Sequence, residues 1–236
     1  MTSASRQSPL LKRTIDLCIA LPVSIATLPL CAILVILATL DTREFGLFMQ
    51  IRVGRDGKPF TVYKIRSMRS TTRMNTVTVE GDARVTPFGA LLRRFKVDEL
   101  PQFWNVVRGD MSLVGPRPDV PGYADRLEGP DRSILAMRPG ITGPATLLFR
   151  REEAFLARQP NPFEANDLLV WPAKVRVNLA YLQHASLGND LALLDMTLRG
   201  TDSRLWSMLA SWSDGELVDD PVVSEMLKSF ELEAIA

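Results

Sequence analysis

The stretch LCIALPVSIATLPLCAILVILATL, residues 17–40, decides the fold because it carries no charged side chain. About 20 apolar residues are enough for a helix to cross a bilayer, so this segment predicts contact with a membrane. Pro22 and Pro29 lie inside it, and each proline favours a kink, which we expect near the middle of the segment at Pro29. A helix buried in a soluble core is the alternative, although few such helices are apolar on every face.

The basic residues that flank this segment predict its topology. Lys12 and Arg13 precede it, and Arg43 and Arg52 follow it. Because basic residues are retained on the cytoplasmic side of a membrane, both ends favour the cytoplasm. A kinked, re-entrant helix that enters and leaves through one leaflet satisfies both the charges and the length, whereas a straight span satisfies only the length. No small-residue cleavage site follows, so we expect the segment to be retained.

The net charge of +1 hides a strong segregation of charge along the chain. Residues 52–96 contain eleven basic and three acidic side chains, whereas residues 201–236 contain eight carboxylates and two basic side chains. The net charge argues against a general nucleic-acid-binding protein, whereas the segregation indicates a cationic face beside the membrane segment. We therefore expect a membrane anchor at 1–45, a folded domain at 46–200 and an acidic appendage at 201–236. A helix predicted near 221–232 would pack on the domain or on a second copy of the chain in a homodimer.

The first part of the folded domain is predicted to contain a small sheet and an amphipathic helix. Residues 48–53 and 60–65 alternate in polarity around Asp56-Gly57, which predicts a β-hairpin. Thr86-Pro87 predicts the N-cap and the first position of a helix that continues to Phe95. The polar segment between the hairpin and this helix is predicted to be a loop.

Short helices and two rigid loops are predicted in the rest of the domain. A second helix is expected from Asp98 to Val107, with Gly109 as its stop. Residues 115–118 and 138–143 are rich in proline and glycine, which predicts two rigid loops that each hold one arginine. The chain beyond Arg150 is predicted to be helical in pieces, with an apolar helix at 190–198. The fold class is therefore α+β and mainly helical.

The adjacent carboxylates of Asp98 and Glu99 follow directly after Arg93, Arg94 and Lys96. Anionic and cationic groups therefore meet in one compact segment, as at a site for phosphate chemistry. The same residues also suit the start of a helix, because Asp98 can be an N-cap and Glu99 a first-turn carboxylate. By themselves they leave both interpretations open.

Several other basic residues suit the binding of phosphate. Arg117 and Arg138 lie in the two rigid loops, where a pre-organised guanidinium can bind phosphate oxygens in a bidentate manner. Each arginine can instead form a surface ion pair with a nearby carboxylate. Lys64 and Arg66 either bind phosphate or lie against anionic lipid headgroups.

In their order along the chain, these motifs resemble the bacterial sugar transferase family, the monotopic polyprenyl-phosphate phosphoglycosyl transferases. The resemblance extends from about Leu11 to Arg199. It is carried by KRTID at 12–16, YKIRSM at 63–68, DELPQ at 98–102, NVVRGDMSLVGPRP at 105–118 and RPGITG at 138–143. The order of so many motifs argues against a chance similarity.

The resemblance implies a small cytoplasmic catalytic domain with interfacial helices on the bacterial inner membrane. Its anchor would be a re-entrant helix broken at a proline, and Pro29 matches that position. The family usually has serine before this proline, where this chain has Leu28, with Thr27 one residue earlier.

The implied activity transfers a sugar 1-phosphate from a UDP-sugar to a polyprenyl phosphate, such as undecaprenyl phosphate, and releases UMP. This would be the first membrane step in the synthesis of an exopolysaccharide, capsule, O-antigen or glycoprotein glycan. Asp98 matches the nucleophile of the family, which forms a covalent phospho-sugar intermediate. Mg²⁺ is implied at Asp98 and Glu99, with Glu99 as a magnesium ligand or an acceptor-side carboxylate.

The resemblance also implies a set of substrate-binding residues. Arg117 matches the phosphate-binding arginine of the family, and the further basic candidates near the nucleotide-sugar are Lys64, Arg66, Arg93 and Arg138. The chain departs from the family at Pro144, where a tryptophan is common, and at Asn178, where a helical aspartate is common. Glu152 or Glu153 is a candidate to replace that carboxylate.

A different class of function also fits the charge segregation. A membrane-bound interaction protein would bind anionic lipid through its cationic face and recruit a partner through its acidic tail, without catalysis. Such a protein would not need Asp98, so a substitution at this residue separates the two hypotheses.

Overall fold

The structure, a computed structural model, describes residues 8–70, 77–200 and 203–231. Its first element is helix α1 (Pro9–Thr42), which has proline in its first turn and ends before Arg43 in the left-handed conformation. Pro22 and Pro29 lie inside α1, and the helix is continuous through both of them. The break at Pro29 and the re-entrant course therefore stay predictions.

Helix α1 is long and apolar enough to cross a membrane, by its length and composition. No side chain from residue 21 to residue 33 is buried, and Ile25, Leu28 and Ile33 each expose more than half of their surface. A contiguous apolar surface of this kind is unfavourable in water. The helix is therefore consistent with membrane association.

Polar contacts fix the N-terminal end of α1 to the folded domain. Asp16 is buried and accepts hydrogen bonds from the Ser112 hydroxyl at 3.1 Å and from the Leu113 backbone N–H at 3.0 Å. The guanidinium of Arg13 donates to the consecutive backbone carbonyls of residues 106 and 107, at 2.6 and 2.9 Å. The charged motif before the apolar segment therefore attaches the helix to the domain.

Apolar contacts fix the C-terminal end of α1. Leu34 and Ala38 are 8% and 0% exposed, and they form a buried cluster with Ile65 and Leu92 from the folded domain. We call these four residues the anchor cluster. Both ends of α1 thus pack on one domain, while its middle stays exposed.

The predicted hairpin is confirmed. Strand β1 (Leu47–Val53) pairs antiparallel with β2 (Pro59–Ile65), in a register that places the first residue of β1 opposite the last residue of β2. Asp56 and Gly57 have positive φ angles of 59° and 77° in the connecting turn. Asp and Gly tolerate this left-handed conformation, which explains why the chain reverses there.

Helix α2 (Pro87–Arg94) begins as predicted. The Thr86 side chain is its N-cap and accepts a hydrogen bond from the Gly89 backbone N–H at 2.9 Å. The helix ends one residue before Phe95, to which the sequence had extended it.

The helix predicted from Asp98 does not begin there. Val97–Glu99 form a 3-10 turn, and α3 (Gln102–Arg108) starts afterwards. The hydrogen bonds of this turn join residues i and i−3, from the Glu99 N–H to the Lys96 carbonyl and from the Leu100 N–H to the Val97 carbonyl, both at 3.3 Å. Gly109 ends α3 in the left-handed conformation, as predicted.

A short parallel pair of strands connects the two rigid loops. Strand β3 (Ser112–Val114) lies beside β4 (Gly140–Thr142), so part of the predicted loop at 138–143 is a strand. At Gly115 an added Cβ would lie 2.4 Å from the carbonyl oxygen of Arg138. Only glycine allows the two loops to approach this closely.

The chain from residue 144 to residue 199 is helical in pieces, as predicted for the part beyond Arg150. Its helices are α4 (Pro144–Leu148), α5 (Glu152–Ala157), α6 (Pro162–Ala165), α7 (Trp171–His184) and α8 (Leu187–Arg199), with a π-helical segment (Asn166–Val170) before α7. Helix α8 begins earlier than the predicted Asp190, because the Ser186 hydroxyl caps it by accepting the Asn189 N–H at 3.2 Å.

The acidic tail forms α9 (Ser203–Trp212), α10 (Glu216–Asp219) and α11 (Pro221–Glu231). The predicted C-terminal helix is confirmed as far as Glu231, and residue 232 lies outside the described residues. Leu205, Leu209 and Val223 are fully buried in the main core of the domain. The described tail therefore completes this core and is not detached from it. The predicted boundaries at residues 45 and 200 and the homodimer stay predictions.

Candidate active site

Asp98 and Glu99 lie in the 3-10 turn between α2 and α3. Lys96 precedes the turn in the left-handed conformation and redirects the chain after α2. Both carboxylates are buried, at 7% and 9% exposure. The interpretation of Asp98 as an N-cap is wrong, because neither the turn nor α3 has a side-chain cap hydrogen bond.

Glu99 is neutralised by two cations from distant segments. Its Oε1 lies 3.2 Å from Nζ of Lys64 on β2 and 2.6 Å from Nη2 of Arg117. We call these three residues the Glu99 triad. Burial alone would raise the pKa of Glu99, but Arg117 and Lys64 outweigh it and hold that pKa well below its usual range. Burial lowers the pKa of Lys64 to about 8, whereas Glu99 raises the pKa of Arg117.

Asp98 has the opposite environment. Its Oδ1 is buried and has no hydrogen-bond partner among the described residues. Burial and then the charge of Glu99 raise the pKa of Asp98, against the opposing charges of Lys64 and Lys96. Two adjacent carboxylates therefore have their pKa values moved in opposite directions, which is typical of groups with different chemical roles.

Strand β1 holds the loop that carries Arg117. The Arg52 guanidinium donates to the Pro118 carbonyl at 3.1 Å, and the Val53 N–H donates to the Asp119 carbonyl at 2.9 Å. Burial and then the charge of Arg117 lower the pKa of Arg52 to about 10. The loop is therefore fixed by contacts to a strand as well as by its own prolines.

Two of the other predicted arginines, Arg93 and Arg66, form ion pairs with carboxylates. Arg93 pairs with Glu153, and its charge also acts on Asp98 to lower the pKa of that carboxyl. Arg66 pairs with Glu44 at 3.0 Å. Arg93 thus lies electrostatically near the carboxylate pair, while Arg66 is held by a carboxylate at the end of the membrane helix.

Arg138 lies at the C-terminal end of α3. Its Nε donates to the Gly109 carbonyl at 3.0 Å, beside the carbonyls that bind Arg13. A basic side chain is favourable at this end of a helix because it satisfies carbonyls and complements the helix dipole. The structure thus brings Lys64 and Arg117 to the carboxylates, whereas the substrate-binding roles of Arg66 and Arg138 stay predictions.

A model of the family described as "Bacterial sugar transferase" matches residues 7–202. The chain belongs to this family. The UDP-galactose-lipid carrier transferase of Erwinia amylovora is 36% identical over 214 residues, which cover 83% of this chain and 41% of the relative. The UDP-glucose:undecaprenyl-phosphate glucose-1-phosphate transferase of Escherichia coli (strain K12) is 32% identical over 202 residues, which cover 84% of this chain and 41% of the relative.

A third relative is matched over most of its length. The uncharacterized sugar transferase EpsL of Bacillus subtilis (strain 168) is 30% identical over 190 residues, which cover 80% of this chain and 86% of the relative. The present chain spans less than half the length of the Erwinia amylovora and Escherichia coli relatives. Its helices α9, α10 and α11 lie beyond the family match, which ends at residue 202.

Sequence reasoning missed several charged residues of the sugar transferase that surround Arg117. Burial raises the pKa of Asp119 to about 6, while the charges of Lys174 and Arg52 oppose that rise. Lys174 pairs with Glu152, which the sequence offered only as one of two candidates for a missing carboxylate. These charges come from β1, the loop after β3, α5 and α7, so they meet only in the folded chain.

The alternation of β1 is the one sequence signal that could have found Arg52. Met49 and Ile51 are exposed on one face of this strand, at 54% and 59%. Arg52 has the opposite parity and therefore projects from the other face. A charged residue on the inner face of a short strand is a candidate for a buried polar contact.

The carboxylate pair fits a magnesium ion only if substrate supplies further ligands. Among the residues that the structure describes, no group of three or more His, Cys, Asp or Glu side chains is placed to hold a metal ion. Mg²⁺ sites often use one or two carboxylates together with substrate phosphates and water. The unpartnered Oδ1 of Asp98 fits such a site, whereas Oε1 of Glu99 already binds Lys64 and Arg117.

The substitution Glu99→Gln tests the charge environment of this site. It removes the anion between Lys64 and Arg117, so we expect the free energy of unfolding to fall by about 3–5 kcal/mol. Asp98→Asn is a matched change one residue away. It should leave the free energy of unfolding unchanged or raise it, because a neutral amide replaces a desolvated carboxylate. Denaturant unfolding of the detergent-solubilised protein measures both values, and equal losses would contradict the two assigned environments.

Proposed function

We propose that this protein transfers a sugar 1-phosphate from a UDP-sugar to undecaprenyl phosphate and releases UMP. The observation that carries the proposal is the pair of adjacent buried carboxylates: Glu99 is neutralised, whereas Oδ1 of Asp98 has no hydrogen-bond partner in the part of the chain that the structure describes. The names of the Erwinia amylovora and Escherichia coli relatives contain UDP-sugars, a lipid carrier and undecaprenyl phosphate, which supports this reaction. The long apolar helix α1 supports an acceptor that resides in a membrane.

In the first half-reaction, a carboxylate oxygen of Asp98 attacks the β-phosphorus of the UDP-sugar. A bond forms between this oxygen and phosphorus, and the bond from phosphorus to the bridging oxygen breaks. UMP leaves with the electron pair, and the sugar phosphate remains on Asp98 as an acyl phosphate. Asp98 suits this attack because its buried Oδ1 accepts no hydrogen bond from residues 8–70, 77–200 or 203–231.

The Glu99 triad assists this step by placing positive charge. A carboxylate and a diphosphate repel each other, so their approach requires neutralising cations. The guanidinium of Arg117 suits bidentate contact with phosphate oxygens, and Lys64 adds a point charge. Glu99 fixes both cations and therefore acts as a positioning residue. When bound, Mg²⁺ held by Asp98 with Glu99 beside it supplies further neutralisation of phosphate charge.

In the second half-reaction, a phosphate oxygen of undecaprenyl phosphate attacks the same phosphorus. The bond from phosphorus to Asp98 breaks, which regenerates the carboxylate and gives the lipid diphosphate sugar. The anchor cluster supports access for a membrane-bound acceptor. Ile65 of the anchor cluster is adjacent to Lys64 in sequence. Val97, the neighbour of Asp98, packs against the anchor cluster. The membrane helix therefore packs directly behind the reacting residues.

The docking of α1 supports a re-entrant anchor with the domain on the cytoplasmic face. Between its two docked ends, residues 21–33 have no buried side chain. Thirteen helical residues extend about 20 Å, which is less than the roughly 30 Å of a bilayer's hydrocarbon core. Both ends also carry basic residues, which favour the cytoplasm.

Release of UMP from UDP-glucose, UDP-galactose, UDP-N-acetylglucosamine and UDP-N-acetylgalactosamine tests the reaction. With undecaprenyl phosphate and Mg²⁺, the wild-type protein should release UMP from at least one donor. Asp98→Asn should lower that rate by at least about a thousand-fold, because it removes the nucleophile. Chelation by EDTA should stop release, and added Mg²⁺ should restore it.

The matched control is Asp131→Asn, which makes the same chemical change at an exposed position and should retain the wild-type rate. An Asp98→Asn protein with the wild-type rate would contradict the nucleophile. A wild-type protein that binds anionic vesicles but releases UMP from no donor would favour the alternative of a lipid-binding interaction protein.

Cysteine labelling tests the topology. In a protein whose Cys18 and Cys31 are replaced by alanine, Ser8→Cys and Asp56→Cys introduce single thiols at exposed positions on either side of the apolar segment. A membrane-impermeant maleimide added to intact cells should label neither site, and it should label both in inside-out vesicles. Labelling of the two sites from opposite sides of the membrane would exclude the re-entrant course.

A further inference from the structure

A second group of polar side chains lies next to the Glu99 triad and has no part in the transfer steps. We call Asp119, Glu152, Lys174 and Asn178 the Asp119 cluster. Asp119 follows Arg117 by two residues, so their Cα atoms lie within about 7 Å. The charges of Lys174, Glu152 and Arg117 all act on the Asp119 carboxyl. Asn178 follows Lys174 by one helical turn and so lies on the same face of α7.

Asp119 is electrostatically unfavourable at a site for an anionic substrate. A carboxylate two residues from a phosphate-binding arginine repels a diphosphate. Its oxygens accept no hydrogen bond and form no ion pair with any residue that the structure describes, although Arg52 and Lys174 offset its charge from nearby. Asp119 is half-buried, so its carboxylate can accept a hydrogen bond from water or from a bound ligand.

Unsatisfied buried oxygens on α7, the helix that carries Lys174, and on α4 are a second observation. Asn178 is 5% exposed, and its Oδ1 has no hydrogen-bond partner among the described residues. The Oγ1 of Thr146, on the helix α4 that packs against α7, is also buried without a partner. Buried polar atoms are normally satisfied, so such atoms indicate a bound group or water.

We propose that the Asp119 cluster binds the sugar that is transferred, and that the Asp119 carboxylate accepts a hydrogen bond from one of its hydroxyl groups. This inference rests on the proposed function. Ionised carboxylates only accept hydrogen bonds, and sugar hydroxyls donate them. The sugar is bonded directly to the phosphate that Asp98 attacks, whereas the ribose is one phosphate further away. A residue beside Arg117 is therefore closer to the sugar.

A contact of this kind makes Asp119 a specificity-determining residue. A donor that lacks the matching hydroxyl, or carries it in the opposite configuration, leaves the carboxylate desolvated and without a hydrogen bond. Sites that bind a hydroxyl through buried polar groups discriminate strongly against analogues without it. Asp119 would then decide among UDP-sugars without contributing to the chemistry at Asp98.

The test measures kcat/KM for UMP release by the wild type and by Asp119→Ala. The donors are the four UDP-sugars named above and analogues of the best donor that each lack one sugar hydroxyl. We expect Asp119→Ala to lower kcat/KM for the best donor by roughly 10- to 100-fold. One deoxy analogue should cause the same loss in the wild type, and the two changes together should cause no further loss.

Two controls separate a sugar contact from other effects. The affinity for UMP, measured by calorimetry, should be equal in the wild type and in Asp119→Ala, because UMP lacks the sugar. Asp131→Ala, at an exposed position, should retain the wild-type preference among donors. Thermal unfolding checks that each variant is folded.

Several results would overturn the inference. A loss that persists equally with every deoxy-sugar analogue, or a weaker affinity for UMP, would place the effect of Asp119 on the nucleotide or on the Arg117 loop. A loss that disappears only with a 2′-deoxyuridine donor would place the contact at the ribose. A wild-type protein that releases UMP from no donor would overturn the proposed function as well, whereas the other results would overturn only the sugar contact.

Discussion

The buried Glu99 carboxylate, held between Lys64 and Arg117, is the interaction on which the rest of the site depends. It joins strand β2, the turn before α3 and the loop after β3, which are distant in sequence. Burying three charges is costly, and mutual attraction offsets the cost only while their geometry is kept. The surrounding elements keep it, because Arg52 on β1 and the pairing of β3 with β4 fix the loop of Arg117. Asp98 shares the burial of Glu99 but not its partners, and this difference gives adjacent carboxylates different chemistry.

Helix α1 packs against the elements that carry the site. The anchor cluster packs the C-terminal end of α1 against β2 and α2, directly behind the residues that carry the charges. Asp16 and Arg13 fix the other end to the loop and helix around residues 106–113. Side-chain contacts therefore hold both ends of α1 against the elements that carry the site. Such an arrangement suits a reaction between a soluble donor and a lipid acceptor.

Local signals in the sequence were sufficient where structure depends on neighbouring residues. The Asp56-Gly57 turn and the Thr86 cap were predicted because turn and cap chemistry act within a few residues. The helix expected at Asp98 starts later, because residues 97–99 form a 3-10 turn, and the contact of Arg138 with the Gly109 carbonyl was not anticipated from the sequence. The alternation of β1 places Arg52 on the inner face of the strand, but its partners, the Pro118 carbonyl and the charge of Arg117, are brought together only by the tertiary fold.

The most direct measurement is mass spectrometry of the protein after incubation with its UDP-sugar donor and Mg²⁺ in the absence of undecaprenyl phosphate. A covalent route through Asp98 predicts a mass increase of one sugar phosphate, which peptide mapping places on Asp98. Addition of undecaprenyl phosphate should remove this adduct and form the lipid product. An adduct on Glu99, or an unmodified protein that nevertheless forms the lipid product at the full rate, would contradict the assignment of Asp98 as nucleophile.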